Sequence, residues 1–176
     1  MKKSLFVLSA LIFLTCFSCK EKIDVGKEKE AILKVLHEEG DAFAVNDLKR
    51  VCAVHIQDST ATRLEQGSDS YKIYTGWNDI KKLYESYIKG NSTDSSWKNP
   101  KNLKENIIIK VIGNSAWVLC DNTWQYVYKN VTGKDTTGKD TNMQIAFFEK
   151  INGEWKFSFN AFVQKPEVKT KAEVSK

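Results

Sequence analysis

Residues 147–159 read "FFEKINGEWKFSF", and this stretch decides the fold of the chain. Asn152-Gly153 is a tight-turn dipeptide, and Trp155, Phe157 and Phe159 follow it on every second position. An Asn-Gly pair between apolar runs is a strong short-range signal of a β-hairpin. A period of two puts alternate side chains on one face of a strand. The pattern therefore predicts a hairpin with one buried face, whose second strand runs on to Gln164.

A second hairpin is predicted directly upstream. Its strands are "NIIIKVIG" (106–113) and "SAWVLCDNTWQYVYK" (115–129), and Gly113-Asn114 supplies the turn. Between the two hairpins the sequence "TGKDT" at 132–136 is repeated immediately at 137–141. The repeat is polar and contains glycine, so we interpret it as the tip of an extended hairpin.

The first half of the chain reads as helices with two short strands between them. Apolar residues recur at helical spacing in three segments, and two other segments have the composition of strands. The predicted helices are 27–45, 48–56 and 79–88, and the predicted strands are 60–64 and 71–74. Residues 89–102 are rich in Gly, Asn, Ser and Pro, which predicts a loop. Because the helices come first and the long strands last, the fold class is α+β.

Four segments in this order resemble the NTF2-like (SnoaL-like, cystatin-like cone) superfamily. They are "EKEAILKVLHEEGDAFAVNDLKRV" (28–51), "YKIYTGWNDIKKLYESY" (71–87), "GNSAWV" (113–118) and the opening stretch (147–159). The resemblance covers residues 27–165. It implies three N-terminal helices packed in a strongly curved antiparallel sheet, a cone whose interior often holds a small apolar molecule. The superfamily includes isomerases, dehydratases and polyketide cyclases, and also binding and dimerisation modules, so fold alone does not assign a function.

The last strand lacks the reactive side chains that the resemblance leads us to look for. Several members carry histidine or serine four, six and eight residues after the tryptophan, and here those positions are Phe159, Ala161 and Val163. His55 lies near the end of a predicted helix, where histidine more often interacts with the helix terminus than with a substrate. Asp121 is the nearest acid, and strand alternation turns it outward unless a bulge intervenes. We therefore predict no catalytic residue, no metal site and no cofactor.

Strand alternation instead predicts an aromatic interior with a few polar groups. The predicted ligand-pocket residues are Asn122, Trp124, Tyr126, Gln144, Phe148, Phe157 and Phe159. Such a lining suits an apolar or aromatic small molecule held by burial and stacking. The alternative is that the same rings fill the cone and leave no cavity.

The N-terminus reads as a targeting segment. Residues 1–18 carry Lys2 and Lys3 before an apolar run, which indicates a signal peptide; a short membrane anchor is the alternative. "CFSC" ends in Cys19, and a small residue before a cysteine resembles a lipoprotein cleavage site, with Cys16 as the rival. We predict lipidation at Cys19, a polar tether at 19–26, and a cell-envelope, outer-membrane location. Residues 166–176 alternate Lys with acidic and small residues and predict a disordered tail.

The composition of the chain limits the kinds of binding partner that we expect. The chain has 176 residues and a formal charge of +5, which falls to +3 without Lys2 and Lys3. This charge is mild and unclustered, so nucleic acid is not an expected partner. Cys52 and Cys120 either pair in an oxidising compartment or serve as small core residues.

The outward positions of the first long hairpin are unusually apolar. Trp117, Leu119 and Val127 fall on the face that a solvated sheet would fill with polar residues. The superfamily often dimerises through this face, so we expect a homodimer through the convex side of the sheet.

The leading hypothesis is a lipid-anchored envelope protein whose NTF2-like domain is a non-catalytic small-molecule-binding or interaction module. One alternative is an isomerase, dehydratase or cyclase with relocated catalytic residues. Another is a structural subunit of an envelope complex, for which the cone would be filled.

Overall fold

A computed structural model describes residues 23–66, 70–93 and 97–164. These ranges contain three helices, two of them long, and six strands. In chain order they are α1 (Val25–Ala44), α2 (Leu48–Ala53), β1 (Thr62–Gln66), β2 (Tyr71–Thr75), α3 (Trp77–Thr93), β3 (Lys98–Ile112), β4 (Ser115–Lys129), β5 (Asp135–Ile151) and β6 (Glu154–Gln164). The predicted signal peptide, Cys16, Cys19 and the 166–176 tail lie outside the described residues.

The six strands form one sheet in the order β2-β1-β6-β5-β4-β3. Neighbouring strands are antiparallel with one exception, because β1 pairs with β6 in parallel through Thr62 opposite Phe159 and Leu64 opposite Ala161. The prediction of a wholly antiparallel sheet is therefore wrong at this pair. Two parallel neighbours need a long connection between them, and α3 with the two hairpins supplies it.

Both predicted hairpin turns are confirmed. Asn152 has a φ of 50° and Gly153 a φ of 87°, while Gly113 has a φ of 61°. Two consecutive residues with positive φ match the twist of the flanking strands, which explains the Asn-Gly pair. The repeated "TGKDT" builds the connection between β4 and β5, where its second copy lies within β5.

The hairpin that the opening stretch encodes is tied to the start of α1. Glu28 accepts a hydrogen bond of 2.7 Å from the indole nitrogen of Trp155 and bonds of 2.7 and 2.8 Å from Lys150. Asp24 caps the helix by accepting from the backbone nitrogens of Gly26 and Lys27. Residues 25–26, assigned to the tether from sequence, are therefore helical.

The core lies between α1 and the concave face of the sheet. Ile32 and Leu36 on α1 are fully buried, as the helical spacing predicts. They pack in one cluster with buried side chains of the strands and the end of α2: Val54, Ala116, Val118, Cys120, Ala146, Phe148, Trp155 and Phe157. Cys52 and Cys120 are both free thiols, so the disulfide alternative is wrong and the core alternative stands for Cys120.

The segment 89–102, predicted to be a loop, is mostly regular structure. Helix α3 continues to Thr93 and β3 begins at Lys98. The prolyl residue in this stretch, Pro100, lies in β3, which is an edge strand. A missing N–H is tolerated at a sheet edge, so the Pro signal that favoured a loop did not exclude a strand.

The side chains of β6 reverse their alternation partway along the strand. The prediction that Phe159 faces the interior is therefore wrong. Phe157 pairs with Phe148 inside the sheet, but Phe159 pairs with Phe147, one residue earlier on β5. A register shift lies between these pairs, and an extra residue in one strand reverses the faces beyond it. Phe159 therefore lies on the outer face, where it contacts Phe147 at 5.6 Å between ring centroids.

Candidate functional site: an aromatic cavity with a charged floor

A cavity of about 360 Å³ lies beside α1, α3 and strands β1, β3, β4 and β6. Its walls are mainly aromatic: Phe43, Tyr87, Trp97, Trp124 and Phe162. Its floor is polar and charged: Glu39, Arg63, Tyr84, Lys104 and Asn122. The volume falls in the range of small-molecule sites, and a mainly apolar lining with a few polar groups is their usual composition.

The aromatic wall is held together by ring contacts. The centroid of Trp124 lies 5.6 Å from Phe43 and 5.5 Å from Trp97. Trp97 in turn lies 4.6 Å from Tyr126, whose hydroxyl donates to Asp140. Rings at 4.5–7 Å in tilted arrangements stabilise one another, so this wall is preformed. The indole nitrogen of Trp97 is buried and has no hydrogen-bond partner among the described residues.

Glu39 on α1 is the centre of the floor. Its Oε1 accepts hydrogen bonds of 2.8 Å from the Tyr84 hydroxyl and from Asn160 Nδ2, and its Oε2 accepts one of 3.2 Å from Gln144. Burial alone would raise the pKa of Glu39. The imidazole of His55, 3.6 Å from Glu39, and the positive charges of Lys104 and Arg63 outweigh burial and hold this pKa well below its usual range. Glu39 is therefore a buried carboxylate anion.

Tyr84 joins three charged or titratable groups through one oxygen. Arg63 Nη1 donates to the hydroxyl at 2.6 Å, His55 Nε2 lies 3.0 Å away, and the hydroxyl donates to Glu39. His55 Nδ1 lies 2.9 Å from the Val51 carbonyl oxygen, so Nδ1 carries a hydrogen. Burial raises the pKa of Tyr84 well above its usual value. The positive charge of Arg63 opposes this effect, and the negative charge of Glu39 adds to it.

Arg63 is the second charged group of the cavity floor. Its Nε donates to Glu65 at 2.9 Å, and its Nη1 lies 3.6 Å from Glu39. The guanidinium also stacks on Tyr84 and Phe162, with 4.7 Å from its carbon to each ring centroid. Burial would lower the pKa of Arg63, but the charges around it raise the value. Arg63 thus contacts both carboxylates that border the cavity, and its single positive charge balances one of their two negative charges.

Lys104 reaches the floor from β3 on the opposite side. Its ammonium donates to Asn122 Oδ1 at 2.7 Å and to the oxygen of Gln144 at 2.5 Å. Asn102 Nδ2 donates to the same Asn122 oxygen at 2.7 Å, and Asn122 donates to Asn142 at 2.9 Å. Burial lowers the pKa of Lys104, although the negative charge of Glu39 opposes the effect.

Only some of the predicted pocket residues lie at or near the cavity. Asn122 and Trp124 line the cavity, Tyr126 packs behind Trp97, and Gln144 lies under the floor, bonded to Glu39. The other three lie elsewhere: Phe148 and Phe157 belong to the hydrophobic core and Phe159 is on the outer face.

Two alternative catalytic candidates also have definite places. Asp121 stays on the outer face, where it accepts a hydrogen bond of 2.8 Å from Asn106. His55 follows the end of α2 and contacts the Val51 carbonyl oxygen of its last turn at 2.9 Å, as expected of a histidine at a helix terminus. It is also buried and stacks on Phe157 at 5.0 Å between centroids.

The charged floor was missed from sequence. Glu39 was not predicted as a site residue, yet it follows Leu36 by three residues and Ile32 by seven, which is the spacing of the buried stripe. That spacing was an available signal. Strand alternation with Phe159 inside would place Asn160 outside, but the bulge before it brings Asn160 inside to within 2.8 Å of Glu39. No local pattern marks Arg63 or Lys104.

The domain has the NTF2-like, or cystatin-like, fold, which confirms the expected resemblance. A "ntf2-like protein with a cystatin-like fold" from Novosphingobium aromaticivorans superposes with a TM-score of 0.64 at 13% identity, covering 86% of this chain and 91% of that chain. An NTF2-like superfamily protein from Salmonella enterica gives 0.64 at 15% identity, covering 84% and 97%. A protein provisionally assigned as a scytalone dehydratase, also from N. aromaticivorans, gives 0.62 at 16% identity, covering 82% and 95%.

These identities establish the fold and do not carry a function across. No protein-family sequence profile matches the chain, and no curated protein matches it in sequence. None of the described helices is both long and apolar enough to cross a membrane. The described residues contain no group of three or more His, Cys, Asp or Glu side chains able to hold a metal ion.

Proposed function

We propose that this NTF2-like domain binds a small molecule with a ring-shaped apolar body in the cavity between α1, α3 and the sheet. The observation that supports this function is the preformed aromatic wall of Phe43, Trp97 and Trp124 around about 360 Å³ of space. Aromatic side chains at fixed tilts bind flat ligands by burial and stacking, with little loss of side-chain freedom.

The chemistry of the floor supports binding over acid–base catalysis. A general base near neutral pH needs a matched pKa and a free lone pair toward the substrate. Glu39 has its pKa held low and accepts bonds from Tyr84, Asn160 and Gln144. The Tyr84 oxygen is already surrounded by Arg63, His55 and Glu39. The hydrogen bonds around Glu39 and Tyr84 hold these two groups in place and occupy the atoms that a general base would use, which supports binding.

The test uses titration calorimetry to measure the binding of a neutral ring compound, such as 2-naphthol, to the purified full-length chain. Trp124→Ala removes a cavity wall and should weaken binding about tenfold or more, given the contribution of one aromatic contact. Trp117→Ala is the matched control, because Trp117 lies on the outer face of the same strand. Absence of any binding by a series of one- and two-ring compounds would refute this function.

An enzyme of the isomerase or dehydratase kind is the second candidate. Its specific support is the contact of Tyr84 with both His55 and Glu39, a chain of groups able to exchange one proton. One similar structure also has a provisional dehydratase assignment. Turnover of a hydroxylated ring substrate that is abolished by Tyr84→Phe, in a variant still folded by circular dichroism, would favour this candidate over simple binding.

A structural subunit of an envelope complex is the third hypothesis, and it required a filled cone. The open cavity supports a binding function in preference to it. Co-purification of a stable stoichiometric partner, together with no affinity for small molecules, would reverse this preference.

We also propose that the domain is held at the cell envelope through a lipid on Cys19. The support is sequence alone: the apolar run after Lys2 and Lys3, and the small residue before Cys19. Several acyl chains hold a protein stably at a membrane without a spanning helix. Cys19→Ala should abolish metabolic acyl labelling and release the protein from membranes, and continued labelling would assign the lipid to Cys16.

A further inference from the structure

The two cations and two carboxylates that the structure describes around the cavity balance in charge, but of these cations only Arg63 is in direct contact with the carboxylates. Arg63 contacts carboxylates on both sides, with Glu65 at 2.9 Å and Glu39 at 3.6 Å. Lys104 has no carboxylate oxygen within 4.0 Å among the described residues, and its two hydrogen bonds go to the amide oxygens of Asn122 and Gln144. Glu39 acts on Lys104 through its charge, and the Gln144 side chain is hydrogen-bonded to both groups.

A lysine in this position is costly without an anion. An ammonium carries three N–H donors, and the described hydrogen bonds use two of them. Removing a charge from water is unfavourable unless it is paired as well as hydrogen-bonded. Because Lys104 borders the cavity, an anionic group of a bound molecule is the partner that can reach it.

The neighbours of Lys104 favour an anion over a cation. Asn122 turns its oxygen to Lys104 and its nitrogen to Asn142, so its acceptor is already used. Glu65, the acid nearest the cavity mouth, is occupied by Arg63 and by the hydroxyl of Tyr87. The indole N–H of Trp97 in the aromatic wall has no described partner and can donate to an acceptor. Among the described residues of the lining, the groups with unused donors are therefore Lys104, Trp97 and Asn91.

We propose that the ligand is an aromatic carboxylic acid, with its rings against the aromatic wall and its carboxylate on Lys104. This inference rests on the proposed binding function and adds the chemical class of the ligand. Charge-assisted hydrogen bonds between an ammonium and a carboxylate are roughly twice as strong as neutral ones. Lys104 then determines which ring compounds are selected, while Trp97 and Trp124 supply the apolar contacts.

The experiment compares three probes with the same rings: 2-naphthoate, neutral 2-naphthamide and a naphthyl-trimethylammonium ion. Titration calorimetry on the purified full-length chain should show 2-naphthoate binding about tenfold to a hundredfold more tightly than 2-naphthamide. Lys104→Met should bring the two affinities together by weakening 2-naphthoate alone. Lys101→Met is the matched control, since Lys101 is exposed on the same strand and should leave the preference unchanged.

The possible outcomes distinguish a failure of the carboxylate inference from a failure of the proposed binding function. If acid and amide bind equally, and Lys104→Met changes neither, the carboxylate inference fails and the binding function stands. If the ammonium probe binds best, the site is a cation cage and the inference is overturned. If none of the three binds, the binding function itself fails. Lys104→Arg keeps the charge and should retain the preference for the acid, which guards against a Lys104→Met variant that folds poorly.

Discussion

Glu39 and Tyr84 are 45 residues apart in the chain and 2.8 Å apart in the structure, with both side chains buried. One comes from the middle of α1 and the other from the buried face of α3. Their bond joins the two long helices over the concave face of the sheet and forms the floor of the cavity. The stability of the domain and the shape of its site therefore depend on the same polar contacts.

Neutralising Glu39 should destabilise the domain strongly. Glu39→Gln leaves Arg63 and His55 without their buried anion, and breaking a buried charge pair from one side costs about 3 kcal/mol or more. Urea unfolding followed by circular dichroism gives this free energy. The adjacent Glu38 is the matched control, since its ion pair with Arg50 is solvent-exposed and Glu38→Gln should cost less than about 1 kcal/mol. Equal losses for the two variants would contradict a buried ionic floor.

The loss of folding stability at acid pH should also depend on the carboxyl group of Glu39. The folded-state pKa of Glu39 is lowered from an ordinary value of 4.5, so its stabilising contribution is fully present above that pH. The contribution is lost progressively as the pH falls below about 4.5 toward the folded-state value, because the unfolded chain then binds the proton more readily. Unfolding free energies between pH 7 and pH 3 should fall more steeply for the wild type than for Glu39→Gln. Parallel curves would show that Glu39 is not ionised in the fold.

Two helical glycines should respond oppositely to alanine. A Cβ at Gly40 would lie 2.3 Å from Asn102 Oδ1 and 2.8 Å from Asn102 Cβ, so α1 and β3 must separate. Gly40→Ala should cost about 2 kcal/mol and disturb the Asn102 bond beside Lys104. A Cβ at Gly90 meets no described atom within 4 Å, so Gly90→Ala should gain about 0.5–1 kcal/mol from helix propensity. Thermal unfolding measures both, and stabilisation by Gly40→Ala would disprove the close helix–sheet contact.

The homodimer expected from the apolar outer face stays a prediction with a specific test. Phe147 is 47% exposed and Ile108 is 53% exposed on the outside of the sheet. Exposed apolar groups of this kind mark association surfaces. We expect the wild type to be dimeric in light scattering and Phe147→Lys to be monomeric. Val131→Lys, in the fully exposed turn between β4 and β5, is the control and should leave the mass unchanged. A monomeric wild type would rule out the dimer.

The sequence alone specified the order of elements and their boundaries wherever local chemistry decides them. The turns at Asn152-Gly153 and Gly113-Asn114 form where backbone preference places them. The start of α2 follows Asp47, which caps it by accepting from the Arg50 backbone nitrogen at 3.0 Å. The buried stripe of Ile32 and Leu36 follows from helical periodicity. These features depend on residues close together in the chain, and a single sequence contains that information.

Only the tertiary structure decided which polar side chains meet inside the sheet. Glu39, Arg63, Tyr84 and Lys104 come from four different elements, and nothing local in the sequence relates them. One bulge in β6 sent Phe159 outward and brought Asn160 to Glu39, because a single extra residue inverts a strand with a period of two. The cavity is lined by rings, but of the predicted rings only Trp124 lies in its lining, and its floor is ionic. Long-range packing placed those charges together, where each one is stabilised by partners distant in the chain.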